Sequence, residues 1–147
     1  MQVRDIMTAH MAFCMPEKTV DEVARMMVTC DCGAIPVVDP VTQKAVGIVT
    51  DRDIVCRIVA KGRDPVRVRV EEIMTMPIVA VTPDDSLEKC VADMEAAQVR
   101  RMPVVDSNGR LCGIVAQADI ARVAPPPETG HLLHDVSRPS DHASQVQ

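Results

Sequence analysis

The chain contains almost no aromatic residues: one Phe, Phe13, and neither Tyr nor Trp among 147 residues. A core without rings has to be built from Val, Ile, Met and Ala, and a hydrophobic content of 47% is ample for that. Any base or ring bound here would be gripped between aliphatic walls. Proteins that take single-stranded nucleic acid rely on aromatic platforms and basic grooves. This chain has few rings and a net charge of −5, so nucleic acid is not an expected partner. No run is long and apolar enough to span a bilayer, so no membrane partner is expected. The start, Met1-Gln2-Val3-Arg4-Asp5, lacks a signal-peptide layout, and the expected location is cytoplasmic. Glycine is scarce at six residues, and no Gly-rich phosphate loop occurs. Of four histidines (His10, His131, His134, His142), three lie near the C-terminal end. No serine or cysteine stands in a nucleophile setting. Binding groups without reaction machinery argue against an enzyme.

The six cysteines are scattered through apolar segments and read as small hydrophobes of a reducing compartment. Cys30-Asp31-Cys32 stands apart, because the two thiols are close-spaced beside Gly33. A metal or redox sensor is one reading of that pair. Its spacing is not C-x-x-C, and no second pair or nearby His completes a site, so no metal is expected.

What the chain does have is the same text written twice. Val3-Arg4-Asp5-Ile6-Met7-Thr8 returns 67 residues on as Val70-Glu71-Glu72-Ile73-Met74-Thr75. Ile35-Pro36-Val37-Val38-Asp39 returns at the same offset as Met102-Pro103-Val104-Val105-Asp106. Gly47-Ile48-Val49-Thr50-Asp51-Arg52-Asp53 returns as Gly113-Ile114-Val115-Ala116-Gln117-Ala118-Asp119, now at an offset of 66. A fixed period decides fold more than local propensity does. Two similar halves can pair about a pseudo-twofold axis, and the cleft between them is a natural ligand site.

Each copy predicts strand, helix, strand, strand, helix. In the first, Met11 to Met15 reads as a buried strand closed by Pro16. Thr19 and Glu22 form a capping-box pattern ahead of a helix carrying Val20, Val23, Ala24 and Met27. Strands follow over 34–39, apolar enough for burial on both faces, and over 45–49. A second helix after Thr50 carries Ile54, Val55, Ile58 and Val59. The second copy repeats this with strands at 78–82, 102–106 and 111–115 and helices at 86–98 and 117–123. The one-residue slip falls in the hairpin turn, where length changes are tolerated. The expected divisions are repeat one at 3–61, a polar linker at 62–69, repeat two at 70–123, and an extension at 124–147. In that extension Pro125-Pro126-Pro127 closes the ordered unit, 128–136 allow one short helix, and the polar tail from Ser137 is expected to be loose. Each copy alone buries too little surface for comfortable stability, so the two are read as one folding unit.

Two constellations carry chemistry. Thr50-x-x-Asp53 sits at a strand-to-helix junction. It can serve as a capping box, or its carboxylate can accept both hydroxyls of a ribose while the helix N-terminus faces an anion. The second copy keeps Asp119 but has Ala116 in place of the hydroxyl. Arg100 and Arg101 lead into a buried strand where the first copy has Gly33 and Ala34. Paired charges at such a junction can simply be solvated, or their guanidinium forks can clamp a phosphate.

The order Ile-Met-Thr, Ile-Pro-Val-Val-Asp and Gly-Ile-Val-Thr-Asp-Arg-Asp, twice over residues 3–123, resembles a tandem pair of CBS domains, a Bateman module. It looks most like the small stand-alone bacterial CBS-pair signalling proteins. The resemblance implies an α/β (α+β) fold of two β-α-β-β-α repeats packed about a pseudo-twofold axis. It implies a regulatory module that senses adenine nucleotides (AMP, ADP or ATP) between the repeats by a conformational shift. On that basis the better site takes Ile48, Thr50 and Asp53 from repeat one, Ile78, Val79 and Ala80 as the base-facing wall, and Arg100 and Arg101 for phosphates. A weaker second site takes Ala12, Phe13, Ala34, Ile114 and Asp119. No cofactor is required beyond the regulatory nucleotide. A homodimer through the apolar helices after Thr50 and Gln117, and a downstream protein that reads the bound shape, are the further partners implied. The competing readings are a ligand-free dimeric interaction protein, an NAD or S-adenosylmethionine binder, and a sensor working through Cys30 and Cys32.

Overall fold

The structure is a computed structural model that describes residues 1–138. Two β-hairpins form its frame. β1 (Ala34–Val38) pairs antiparallel with β2 (Ala45–Thr50), and β3 (Arg101–Val105) pairs with β4 (Leu111–Ala116). Their registers correspond: Ala34 faces Thr50 as Arg101 faces Ala116, and Ile35 faces Val49 as Met102 faces Val115. Each hairpin bulges just before its turn, at Val37/Val38 and Val104/Val105. β1 is buried along its whole length, as its continuous apolar run requires. The one-residue slip lies in the turns. Asp39 accepts the amides of Val41 and Thr42 at 2.9 and 2.7 Å, whereas Asp106 accepts those of Asn108 and Arg110 at 2.8 and 3.0 Å.

Around the hairpins lie α1 (Val20–Cys30), α2 (Asp51–Ile54, running on into a π-helical turn over Val55–Val59), α3 (Leu87–Ala97), α4 (Gln117–Ala121) and α5 (Pro126–Val136). The Glu22 carboxylate accepts the Thr19 backbone N–H at 3.1 Å, while the Thr19 hydroxyl donates to Asp21 at 2.5 Å. α1 and α3 both stop on a left-handed residue, Asp31 at φ 51° and Gln98 at φ 53°. Asp and Gln tolerate this αL cap better than β-branched residues do. Cys30-Asp31-Cys32 is thus the end of a helix.

The predicted first strand of each repeat is reduced to a single bridged pair. Cys14 bonds β1 through its own N–H to Pro36 (3.0 Å) and through Val38 N–H to its carbonyl (2.8 Å). Val81 does the same with Pro103 and Val105, at 3.1 and 2.8 Å. The cause is proline. The parallel ladder would continue through an N–H on Pro36 toward Ala12 and one on Pro16 toward Val38, and proline has none. Pro103 and Pro83 impose the same limit on the second copy. Met11 to Met15 is therefore not a buried strand: only Cys14 is buried, and Phe13 is 46% exposed.

The leading segments are exchanged between repeats. Thr8, from the first copy, forms a two-bond bridge with Ile114 of the second (2.9 and 3.0 Å), and Thr75 forms its counterpart with Ile48 (2.8 and 3.2 Å). Val3, with Ile6 and Met7 packed alongside, belongs to the apolar cluster of Met94, Met102 and Ile120. Val70 and Ile73 belong to that of Val23, Ile35 and Ile58. Gly47 and Gly113 make this possible. A Cβ on Gly47 would lie 2.8 Å from Met74 Sδ and 3.0 Å from the Thr75 carbonyl oxygen; on Gly113 it would lie 2.9 Å from Met7 Sδ and 3.2 Å from the Thr8 oxygen. Each copy thus completes the other's core, and the two halves form one α+β unit.

The extension needs correction as well. Pro125-Pro126-Pro127 does not end the ordered unit: Pro126 opens α5, with proline suited to the first helical turn. α5 packs against α3 and α4 and buries Leu132 and Val136 in the second core. The loose tail expected from Ser137 lies, from residue 139 on, outside the described residues. Among the described residues no helix is long and apolar enough to cross a membrane.

Candidate functional site: the cleft between the repeats

A cavity of about 640 Å³ opens where the two hairpins meet. Repeat one lines it with Gly33, Ala34, Ile48, Thr50, Asp51 and Arg52; repeat two answers with Gln98, Val99, Arg100 and Arg101. The two sides are held alike. The Asp51 N–H bonds the Gly33 carbonyl at 3.0 Å, and the Gln117 N–H bonds that of Arg100 at 2.9 Å, so each β-strand entry is pinned to the start of a helix. Gln117 Oε1 is buried there with no hydrogen-bond partner among the described residues. Among those residues Arg52, Arg100 and Arg101 form no salt bridge, although eleven ion pairs occur elsewhere.

Thr50 and Asp53 form the full capping box. Asp53 Oδ2 accepts the Thr50 N–H at 2.9 Å, and Thr50 Oγ1 accepts the Asp53 N–H at 3.2 Å. The other oxygen, Oδ1, is less committed, with Thr75 Oγ1 at 3.4 Å and Arg57 Nε at 3.9 Å. In repeat two Asp119 Oδ2 accepts the Ala116 N–H at 2.8 Å, and Oδ1 is taken by Arg122 at 3.2 Å. Losing the hydroxyl removes one bond of the box; it does not displace the carboxylate.

Of the residues assigned to the better site, the cavity unites Ile48, Thr50, Arg100 and Arg101. Asp53 adjoins it through Thr50 but is not in its wall, and neither are Ile78, Val79 and Ala80. Those three connect Thr75, bridged to β2, with Val81, bridged to β3, and Val79 is exposed. The second set does not converge. Ala34 lies in the first cavity opposite Thr50; Phe13 lines a separate 680 Å³ hollow with His10, Asp39 and Arg110 at the hairpin turns; Ala12 packs against the first core; Ile114 bridges Thr8. Asp51, Arg52, Val99 and the C-terminal Val136, Ser137 and Arg138 border the cleft without having been singled out. The motif itself contained Asp51 and Arg52. The last three depend on where α5 docks, which has no local signature.

Cys30 and Cys32 are free thiols near this rim. Partial burial and then the neighbouring Cys30 push the Cys32 thiol up, and Arg101, facing it, opposes them. Among the described residues no three His, Cys, Asp or Glu side chains gather where they could share a metal ion.

The profile of the CBS domain matches residues 3–60 and 70–125. The chain belongs to the CBS-domain family. This CBS pair is 43% identical over 119 residues to the CBS domain-containing protein YhcV of Bacillus subtilis, covering 81% of the chain and 82% of that protein. It is 38% identical over 122 residues to hypoxic response protein 1 of Mycobacterium tuberculosis, covering 83% and 84%. A crystal structure of hypoxic response protein I with two coordinated zinc ions matches with a TM-score of 0.77 at 37% identity, over 85% of this CBS pair and all of that chain. The CBS domain pair of protein MJ0100, in complex with 5′-methylthioadenosine and S-adenosyl-L-methionine, matches with a TM-score of 0.75 at 28% identity, over 84% and 94%.

Proposed function

We propose that this CBS pair is a regulatory module, not an enzyme, which binds an adenosine-containing ligand in the Thr50–Arg101 cleft and signals by changing the relative set of its halves. The observation that carries the reading is one cavity with Ala34, Ile48 and Thr50 on one side and two guanidiniums on the other. Aliphatic walls suit a base, and Arg100 and Arg101 suit an anionic tail. The Asp53 carboxylate, bonded to Thr50 just behind the wall, suits a ribose hydroxyl that displaces the long 3.4 Å contact of Thr75 with Oδ1. The complex of the MJ0100 pair with two adenosine compounds supports the ligand class. AMP, ADP and ATP are the first candidates, with S-adenosylmethionine and NAD behind them. A ligand bridging both halves favours one arrangement only by its differential affinity for it. A homodimer would bury the exposed Val55 and Val59 on the segment after α2, together with Val123 after α4.

Calorimetric titration of the full chain with AMP, ATP, S-adenosylmethionine and NAD tests this. Asp53→Ala should cost roughly 10- to 150-fold in affinity, the worth of a charge-assisted bond. Absence of heat with every adenosine compound, or an unchanged affinity in Asp53→Ala, overturns the reading.

A further inference from the structure

The wall of the cleft that the repeats do not supply comes from the extension. Val136, Ser137 and Arg138 border the cavity together with Arg52, Arg100 and Arg101. Four arginines and one acid, Asp51, therefore line the cavity, with Asp135 paired to one of the four, in a chain whose net charge is −5. A neutral ligand or a single phosphate has no use for that many cations, whereas guanidinium forks match successive phosphate oxygens. The cavity volume is in the usual range for a nucleotide-sized ligand.

Arg138 differs from the other three in being already engaged. It is bound by the Asp135 carboxylate, which also meets His134 Nδ1 at 3.0 Å. Asp135 belongs to the last turn of α5, whose Leu132 and Val136 are buried in the second core, and Arg138 follows that helix by two residues. A ligand that draws Arg138 toward the cleft thus competes with Asp135 and acts on a helix anchored in that core.

We propose that the ligand's anionic end is a polyphosphate, and that Arg138 closes on it, so that α5 is both part of the binding site and the element that registers occupancy. The proposal rests on the cleft being the ligand site, as read above, and adds the ligand's anionic class and the third element that holds it.

The test uses the full chain, titrated with inorganic tripolyphosphate, ATP and adenosine. Arg138→Gln, at an exposed position, should weaken tripolyphosphate and ATP by roughly tenfold or more and leave adenosine unchanged. Asp135→Asn should tighten tripolyphosphate by freeing Arg138. ATP should slow amide exchange along 129–136 in the parent and not in Arg138→Gln. Equal ATP affinity in Arg138→Gln and the parent overturns the proposal, as does an equal loss for adenosine and ATP. An equal loss in Arg110→Gln, in the hollow at the hairpin turns, also overturns it, because the effect is then one of overall charge. Binding of tripolyphosphate without any adenosine compound refutes the adenosine reading and upholds this one. Binding of adenosine and ATP alike, with none of tripolyphosphate, does the reverse.

Discussion

Replacing Gly47 by Ala probes the exchange of leading segments directly. The added Cβ would stand 2.8 Å from Met74 Sδ and 3.0 Å from the Thr75 carbonyl oxygen. The methionine can swing aside; the carbonyl cannot, because it accepts the Ile48 N–H at 3.2 Å while the Thr75 N–H donates back at 2.8 Å. Overpacking a close contact costs about 1–3 kcal/mol. Loosening the two bridge bonds adds about 1 kcal/mol each, and the reduced freedom of the unfolded chain returns about 0.4–1 kcal/mol. The net loss is therefore about 2–5 kcal/mol, and at about 2–4 °C per kcal/mol for a chain of this size Tm falls measurably. Thermal and urea denaturation measure it. Gly113→Ala, whose Cβ would meet the Thr8 oxygen at 3.2 Å, should cost no more. Gly130→Ala is the control: it lies within α5 with nothing within 4 Å of the new Cβ, and should stabilise by up to about 1 kcal/mol. Met74→Ala combined with Gly47→Ala should restore only part of the loss, since the carbonyl stays in place. A Gly47→Ala protein as stable as the parent would refute the close packing of Ile-Met-Thr against the other repeat.

Leu132→Ala should destabilise the protein by about 2–5 kcal/mol, since Leu132 is 1% exposed; a shift within error in urea would mean α5 is not part of the core. Thiol labelling followed by mass spectrometry should modify the exposed Cys30 and Cys56 first. Burial pushes Cys14 and Cys90 up to about 11, and they should react only on unfolding. Stability should fall as pH drops below about 4. The carboxyls of Asp39 and Asp85 are held below their ordinary 3.8, chiefly by the Thr42 and Thr82 amides, and that of Asp21 by the Thr19 hydroxyl. Groups with depressed folded values stabilise above the unfolded value and lose that contribution as they protonate on descent. A flat urea midpoint between pH 5 and pH 3 would contradict this.

The candidate site residues were legible only in part. Thr50 and Asp53 were legible as a pair because a capping box is written within four residues. That Arg100 and Arg101 stand across one cavity from Ile48 and Thr50 followed from the repeat symmetry. Ile78 to Ala80 were expected in the same wall, yet they are absent from it and connect Thr75, bridged to β2, with Val81, bridged to β3. Arg138 could not be anticipated, since its place depends on α5 folding back over α3 and α4.

By itself the sequence determined what short-range bonding dictates: the duplicated hairpins, their turns with one residue more in the first, and the caps at Thr19 and Thr50. Pro16, Pro36, Pro83 and Pro103 stand in the sequence, but the strands expected at 11–15 and 78–82 shrink to single bridges only once the pairing to β1 and β3 shows which N–H groups are missing. Only the tertiary structure decided which core each leading segment joins. Val3 to Thr8 and Val70 to Thr75 are so alike that either is apolar enough for either core. Packing against Gly113 and Gly47 across the repeats settled the pairing, and docking of Leu132 and Val136 made the extension a wall of the cleft. Hydrophobic burial is non-directional, so a sequence states which faces must be covered, and the folded chain decides what covers them.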